Sequence, residues 1–154
     1  MVCVFCDIVS GHAESHIVWE DPDHLAFLSI YPNTYGVTVV VPKEHYSSYV
    51  FDQDDAVITA LLIATKKVAR LLDDVLTGVA RTAMVFEGYG VDHLHAKLYP
   101  MHGTGERSDF QRIASDVGTY IDQYSGFVSS HDGPRAEHQT LAALARRLRG
   151  HGSA

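Results

Sequence analysis

Apolar residues fall in short bursts at the start of the chain and in a helical rhythm further on. The segments HIVWE (16–20), HLAFLSIYP (24–32) and GVTVVVPKEH (36–45) are separated by DPD and YPNTYG. Gly, Pro and Asx punctuation between short β-branched and aromatic runs predicts strands joined by turns, in an antiparallel arrangement. Across FDQDDAVITALLIATKKVARLLDDVLTG, residues Val57, Leu61, Leu62, Val68, Leu71, Leu72 and Val75 recur at helical spacing. Acidic residues from Asp52 to Asp55 precede the run and Gly78 follows it, which predicts one long amphipathic helix with both ends marked. Two more strands are predicted, RTAMVF (81–86) and a segment near 93–99, with EGYGVD as a Gly-rich turn between them. Strands, helix, strands is an α+β order. Beyond Pro100 the chain turns polar, with predicted helices near 107–123 and 135–149 flanking the loop YSGFVSSHDGPRA. Arg146, Arg147 and Arg149 sit where they would complement the last helix's own dipole.

The stretch VDHLHAKLYP (91–100) carries the chemistry. In an extended strand, His93, His95 and Lys97 share one face and Leu94, Ala96 and Leu98 the other. A neutral imidazole is a nucleophile, and attack on phosphorus gives a covalent phosphohistidine. Such a site needs a partner that fixes the imidazole tautomer and donors for the phosphoryl oxygens, and Lys97 is a compact phosphate-binding charge. Two other accounts fit the same residues: a solvated strand face, or His93 and His95 as ligands of an open catalytic metal, which lacks a third ligand nearby.

At 154 residues the chain suits a single domain, 1–154. Its formal charge of −7, from 19 acidic and 12 basic residues, gives no general attraction to nucleic acid. No apolar run approaches a membrane span and the N-terminus lacks a signal-peptide pattern, so a soluble cytoplasmic protein is expected. Cys3 and Cys6 lie too close for a disulfide to stabilise much. Cys-x2-Cys is half of a zinc site, which His45 and His93 would complete if the two strand ends meet near the N-terminal arm. Four ligands make a closed, structural Zn2+ site that would hold one end of the histidine segment still. Redox use and unliganded core cysteines remain the alternatives.

Taken together, CVFCDIVSG, VWEDPDHLAFLSIYPNTYGVTVVVPKEH, the long helix and HLHAKLYP resemble, in content and order, the histidine triad (HIT) superfamily of nucleotide hydrolases and transferases. The match spans residues 3 to about 102, leaving 103–154 as a C-terminal helical extension. The resemblance implies a HIT-like α+β fold with an antiparallel sheet, usually paired as a homodimer. It implies a small-molecule nucleotide substrate attacked at its α-phosphorus by the middle histidine, here His95. The nucleotidyl-His95 is then resolved by water or another acceptor. Zinc-bearing branches use ligands matching Cys3, Cys6, His45 and His93.

This chain departs from the family pattern at several positions. The third histidine is Lys97, a fixed cation near the phosphates. Ser29 stands where many members carry a ribose-gripping aspartate, and GVT, with Val37, stands where many read GHT. The loop EGYGVD is shorter than the phosphate-cradling loop of some relatives, although the backbone amides of Gly88 and Gly90 could serve. Phe27, Leu28 and Ile30 are candidates for a base pocket, and His102, Arg107, Ser130 and His131 for the leaving group or distal phosphates. The expected activity is hydrolysis or transfer at a nucleotide phosphoanhydride or phosphoramidate, with a dinucleoside polyphosphate such as diadenosine tetraphosphate as an example. The alternative is a non-catalytic nucleotide or phosphate-metabolite sensor.

Overall fold

A single antiparallel sheet organises the computed structural model, which describes residues 3–106 and 135–151. Its strands are β1 (Ile17–Glu20), β2 (His24–Leu28), β3 (Thr38–Pro42), β4 (Val79–Val85) and β5 (Ala96–His102), in the order β1-β2-β3-β5-β4. The helices are α1 (Val4–Val9), α2 (Asp55–Val75) and α3 (His138–His151). The fold is α+β, as the element order predicts. The helix expected near 107–123 lies outside the described residues.

Both faces of the central strands are covered, so β2 and β3 are buried along their whole length. Ala26, Leu28, Val40, Leu94 and Leu98 meet Leu61, Ala64, Val68, Leu72 and Val75 of α2 and Leu141, Leu144 and Leu148 of α3. The alternate residues Leu25, Phe27, Val39 and Val41 point the other way, against Phe5, Ile8 and Val9 of α1. Period-two alternation therefore sorts the chain into a large helical core and a smaller layer beneath α1.

Three features differ from expectation. The histidine segment is not strand throughout, because β5 begins only at Ala96. The pairing of β3 with β5 ends at Val40↔Ala96, and the N–H groups of His93 and Leu94 turn instead to the carbonyls of Val91 and Tyr46. Side-chain alternation nevertheless persists, with Leu94 in the helical core and His93 and His95 on the opposite face. Second, the C-terminal arginines reach beyond α3: Arg147 donates to the Val75 carbonyl at the end of α2, and Arg149 to Ile17 of β1. The helix terminus that Arg147 complements is thus a neighbour's. Third, the N-terminal arm forms the six-residue helix α1, with Cys3 as N-cap and none of its residues fully buried. So short a helix does not stand alone in water, and tertiary contacts must hold it.

Candidate functional site

Two histidines leave the end of the sheet with their rings fixed by backbone carbonyls. The Nε2 of His93 lies 2.9 Å from the Pro42 carbonyl oxygen, and the Nδ1 of His95 lies 2.6 Å from the carbonyl oxygen of His93. A carbonyl oxygen only accepts, so the facing nitrogen of each ring carries the hydrogen. The neutral rings then present opposite atoms: a lone pair on Nδ1 of His93 and one on Nε2 of His95.

The lone pair of His93 faces the cysteines. Its Nδ1 is 3.5 Å from Cys3 Sγ and 3.5 Å from Cys6 Sγ, and His45 Nδ1 is 3.4 Å from Cys6 Sγ. All four ligand atoms lie within 4.8 Å of one another. A tetrahedral zinc ion bound to two sulfurs and two nitrogens has nitrogen–sulfur edges of about 3.5 Å. The cluster can hold a metal ion, and its donor types and spacing suit a closed site. The bond from His93 to Pro42 is the outer contact that orients a ligating histidine. Pro42 has no N–H to give a neighbouring strand, but its carbonyl is used here.

His95 is almost fully buried, with the Phe5 ring edge-on at 5.4 Å between centroids. Burial, as the largest cause, holds its pKa below the ordinary histidine value. The bond to the His93 carbonyl opposes that shift, the Lys97 charge adds to it and Glu87 opposes it. The lowered pKa favours the neutral form of the His95 imidazole.

His95 and Lys97 open onto a cleft of about 390 Å³. Phe5, Ile8, Phe27, Ile30, Val39 and Tyr89 give it an apolar wall, and Ser29, Glu14, Ser15 and Gly90 supply polar groups. That size and mixture suit a small molecule with one flat apolar part and one polar part. Phe27 also packs edge-on against Phe5 at 5.4 Å, so the wall is shared between β2 and α1. The Ser29 hydroxyl accepts the Tyr31 N–H at 3.2 Å while lining the cleft.

Other residues singled out from the sequence lie elsewhere. Gly88 is not among the cleft residues; its carbonyl accepts Ser48 Oγ at 2.9 Å, at a φ of +70°. Val37 is buried immediately before β3 begins, and the Nε2 of His102 donates to the Tyr35 carbonyl. Arg107, Ser130 and His131 lie outside the described residues.

One residue the sequence reading passed over is Glu87. Its Oε2 lies 3.2 Å from Lys97 Nζ, and each side chain is 17% exposed. The signal was latent in the hairpin: Val85 pairs with Lys97, and Glu87, two residues on, falls on the same side. Phe5, which touches Phe27, His93 and His95, was likewise unmarked, because a six-residue helix leaves little periodicity to detect.

Comparison with known proteins agrees with this architecture. A family model described as HIT domain matches residues 10–103. The chain is 32% identical over 134 residues to an uncharacterized HIT-like protein of Methanocaldococcus jannaschii, covering 81% of this chain and all of the relative. It is 34% identical over 104 residues to an adenosine 5'-monophosphoramidase of Schizosaccharomyces pombe, covering 65% of this chain and 74% of the relative. The crystal structure of a zinc-bound histidine triad family protein from Mycobacterium smegmatis superposes with a TM-score of 0.67 at 23% identity, covering 99% of this chain and 94% of that one. The chain belongs to the HIT family.

Proposed function

We propose that the protein is a nucleotide hydrolase or nucleotidyl transferase that works through a covalent nucleotidyl-His95 intermediate. The observation that carries this reading is the His95 tautomer: with Nδ1–H committed to the His93 carbonyl, Nε2 holds a lone pair beside a cleft that also contains Lys97. The base of the nucleotide occupies the apolar wall near Phe27, with Ser29 and Gly90 beside the sugar and phosphate. Nε2 attacks the α-phosphorus and the phosphoanhydride or phosphoramidate bond to the leaving group breaks. Lys97 donates to the phosphoryl oxygens, and water or another acceptor then releases His95. Gly88 acts indirectly, holding the loop against Ser48. The sequence relationship to a monophosphoramidase supports the phosphoramidate branch; dinucleoside polyphosphates remain within the same chemistry.

Cys3, Cys6, His45 and His93 would hold a structural zinc. When bound, zinc supplies a rigid tetrahedral clamp and no reacting group. Cys3 and Cys6 thereby tie α1, with Phe5, to His93 and fix one wall of the cleft. A homodimer is the assembly that the family resemblance implies; β4 is an edge strand with Met84 exposed, a place where a second copy could pair.

The test is an adduct trap. Brief incubation with an adenosine phosphoramidate or diadenosine tetraphosphate, followed by quenching, should give an AMP-sized addition on the peptide containing His95, absent in His95→Ala. Steady turnover retained by His95→Ala would remove the proposal. An alternative, nucleotide binding without turnover, draws on one observation: the residue at the third histidine position is a lysine already engaged with Glu87. Binding with no product over many turnovers, for several nucleotides, would favour it.

A further inference from the structure

Glu87 takes no part in the covalent step, although its carboxylate lies 3.2 Å from the lysine proposed to bind the phosphoryl group. Three observations make its position a built one. The register Val85↔Lys97 brings the end of β4 alongside the site, and Glu87 follows within two residues. The next residue is anchored, since the Gly88 carbonyl accepts Ser48 Oγ and an added Cβ there would stand 3.4 Å from the Ser48 carbonyl oxygen. The Lys97–Glu87 contact is 3.2 Å with both side chains largely shielded, so solvent and salt screen it weakly.

We infer that Glu87 is a specificity-determining residue, a charge filter that admits nucleotides of low charge at phosphorus and disfavours polyphosphate chains. This rests on the reading that the phosphate end of the substrate lies at His95 and Lys97. Among the described cleft residues, Lys97 is the only lysine or arginine. A phosphoryl oxygen arriving there must share Lys97 with Glu87. Glu87 is not itself among the cleft residues and acts through its contact with Lys97. A first negative charge is met by the ammonium; each further charge is added beside that ion pair with no second lysine or arginine among the described cleft residues to offset it. Glu14 adds a second carboxylate at the cleft rim. The substrates that fit are nucleoside phosphoramidates or monophosphate esters, and the poorly accepted ones are dinucleoside polyphosphates and nucleoside triphosphates. Selectivity by repulsion of the wrong ligand needs no contact with the base.

The experiment is a magnesium-free calorimetric titration of the full chain with AMP against ATP, and with GMP against GTP. It is run on wild type, Glu87→Gln, Glu87→Asp and Lys97→Met, each checked by thermal melting. Wild type should bind the monophosphate at least as tightly as the triphosphate. Glu87→Gln should improve triphosphate affinity relative to monophosphate by about tenfold, and Glu87→Asp should keep the wild-type order. Should Glu87→Gln not fold, Lys97→Met carries the test: with the Lys97 cation removed and Glu87 kept, the triphosphate must be penalised more than the monophosphate. Equal shifts for both ligands, a wild-type preference for the triphosphate, or no binding of any of the four would overturn the filter. Turnover of adenosine phosphoramidate and diadenosine tetraphosphate is followed in parallel. Selective binding with no turnover of either would remove the enzymatic reading and leave the filter standing.

Discussion

The Nδ1 of His95 sits 2.6 Å from the backbone carbonyl of His93, so one histidine's main chain sets the other's tautomer. The expected outcome in solution is that neutral His95 carries its hydrogen on Nδ1. Long-range 1H–15N correlation spectra of histidine-labelled protein check this directly. A protonated Nε2 in the free protein would mean that the nucleophilic lone pair points the wrong way, and the covalent mechanism would lose its main support.

Metal removal should loosen the N-terminus before the rest of the fold. Helix α1 has no fully buried residue and is held by Phe5 and by the two cysteines of the cluster. Zinc at a hundred times its dissociation constant would stabilise the protein by about 2.7 kcal/mol relative to the metal-free state. Elemental analysis should find about one zinc per chain and none in Cys3→Ser/Cys6→Ser protein. Hydrogen exchange on the chelated protein should accelerate first in residues 4–9. Uniform acceleration over the whole sheet would mean that the cluster does not clip the helix.

Acid sensitivity should come in part from Asp21. Burial alone would raise this carboxyl, but the N–H groups of Asp23 and His24, at 3.0 and 2.7 Å, and the His24 ring hold it below the ordinary aspartate value. A depressed folded-state pKa contributes stability that is fully present above the unfolded value, about 3.9, and is lost as pH falls through the lower folded value. Asp21→Ala should therefore cost about 1–2 kcal/mol at pH 7 and much less in strong acid, where wild type has lost the same bonds. Urea unfolding at the two pH values gives the difference. An unchanged penalty in acid would show that packing, not the carboxylate, is responsible.

The turn into β3 should tolerate no side chain at Gly36. Its φ is +90°, and an added Cβ would stand 2.8 Å from Leu76 Cδ1 and 3.2 Å from Pro100 Cγ. Strain and crowding act together, so Gly36→Ala should lower stability by roughly 1–3 kcal/mol. Gly11, with a φ of +78° and open space around its Cβ, is the matched control for strain alone. Equal losses at both positions, measured by thermal unfolding, would exclude the crowding contribution.

Much of this architecture is legible along the chain because its signals are local. The short apolar runs of β2 and β3 between Gly, Pro and Asx turns and the long 3.6-period run of α2 need only neighbouring residues to be read, and their observed bounds differ from expectation by a few residues. Cys3, Cys6, His45 and His93 could be grouped because ligand chemistry limits which residue types answer a Cys-x2-Cys pair, and the fold brings their ligand atoms together. The alternation of His93, His95 and Lys97 against Leu94 and Leu98 is what an extended reading of the segment expects, and it persists although β5 begins only at Ala96.

What tertiary structure decided is everything that depends on where backbone carbonyls and distant charges end up. Residue order determined that His95 stands between a metal-ligand candidate and a lysine. Only the fold ended the β3–β5 ladder at Ala96, freeing the His93 carbonyl to accept from His95 and turning the Pro42 carbonyl toward His93. Likewise, Arg147 meets α2 because two helices far apart in sequence pack together, and Lys97 meets Glu87 because the β4–β5 pairing register sets them side by side. Side-chain type and spacing are written in the chain, whereas the partner that fixes a tautomer or shares a charge is a three-dimensional neighbour, set by the packing of the whole sheet.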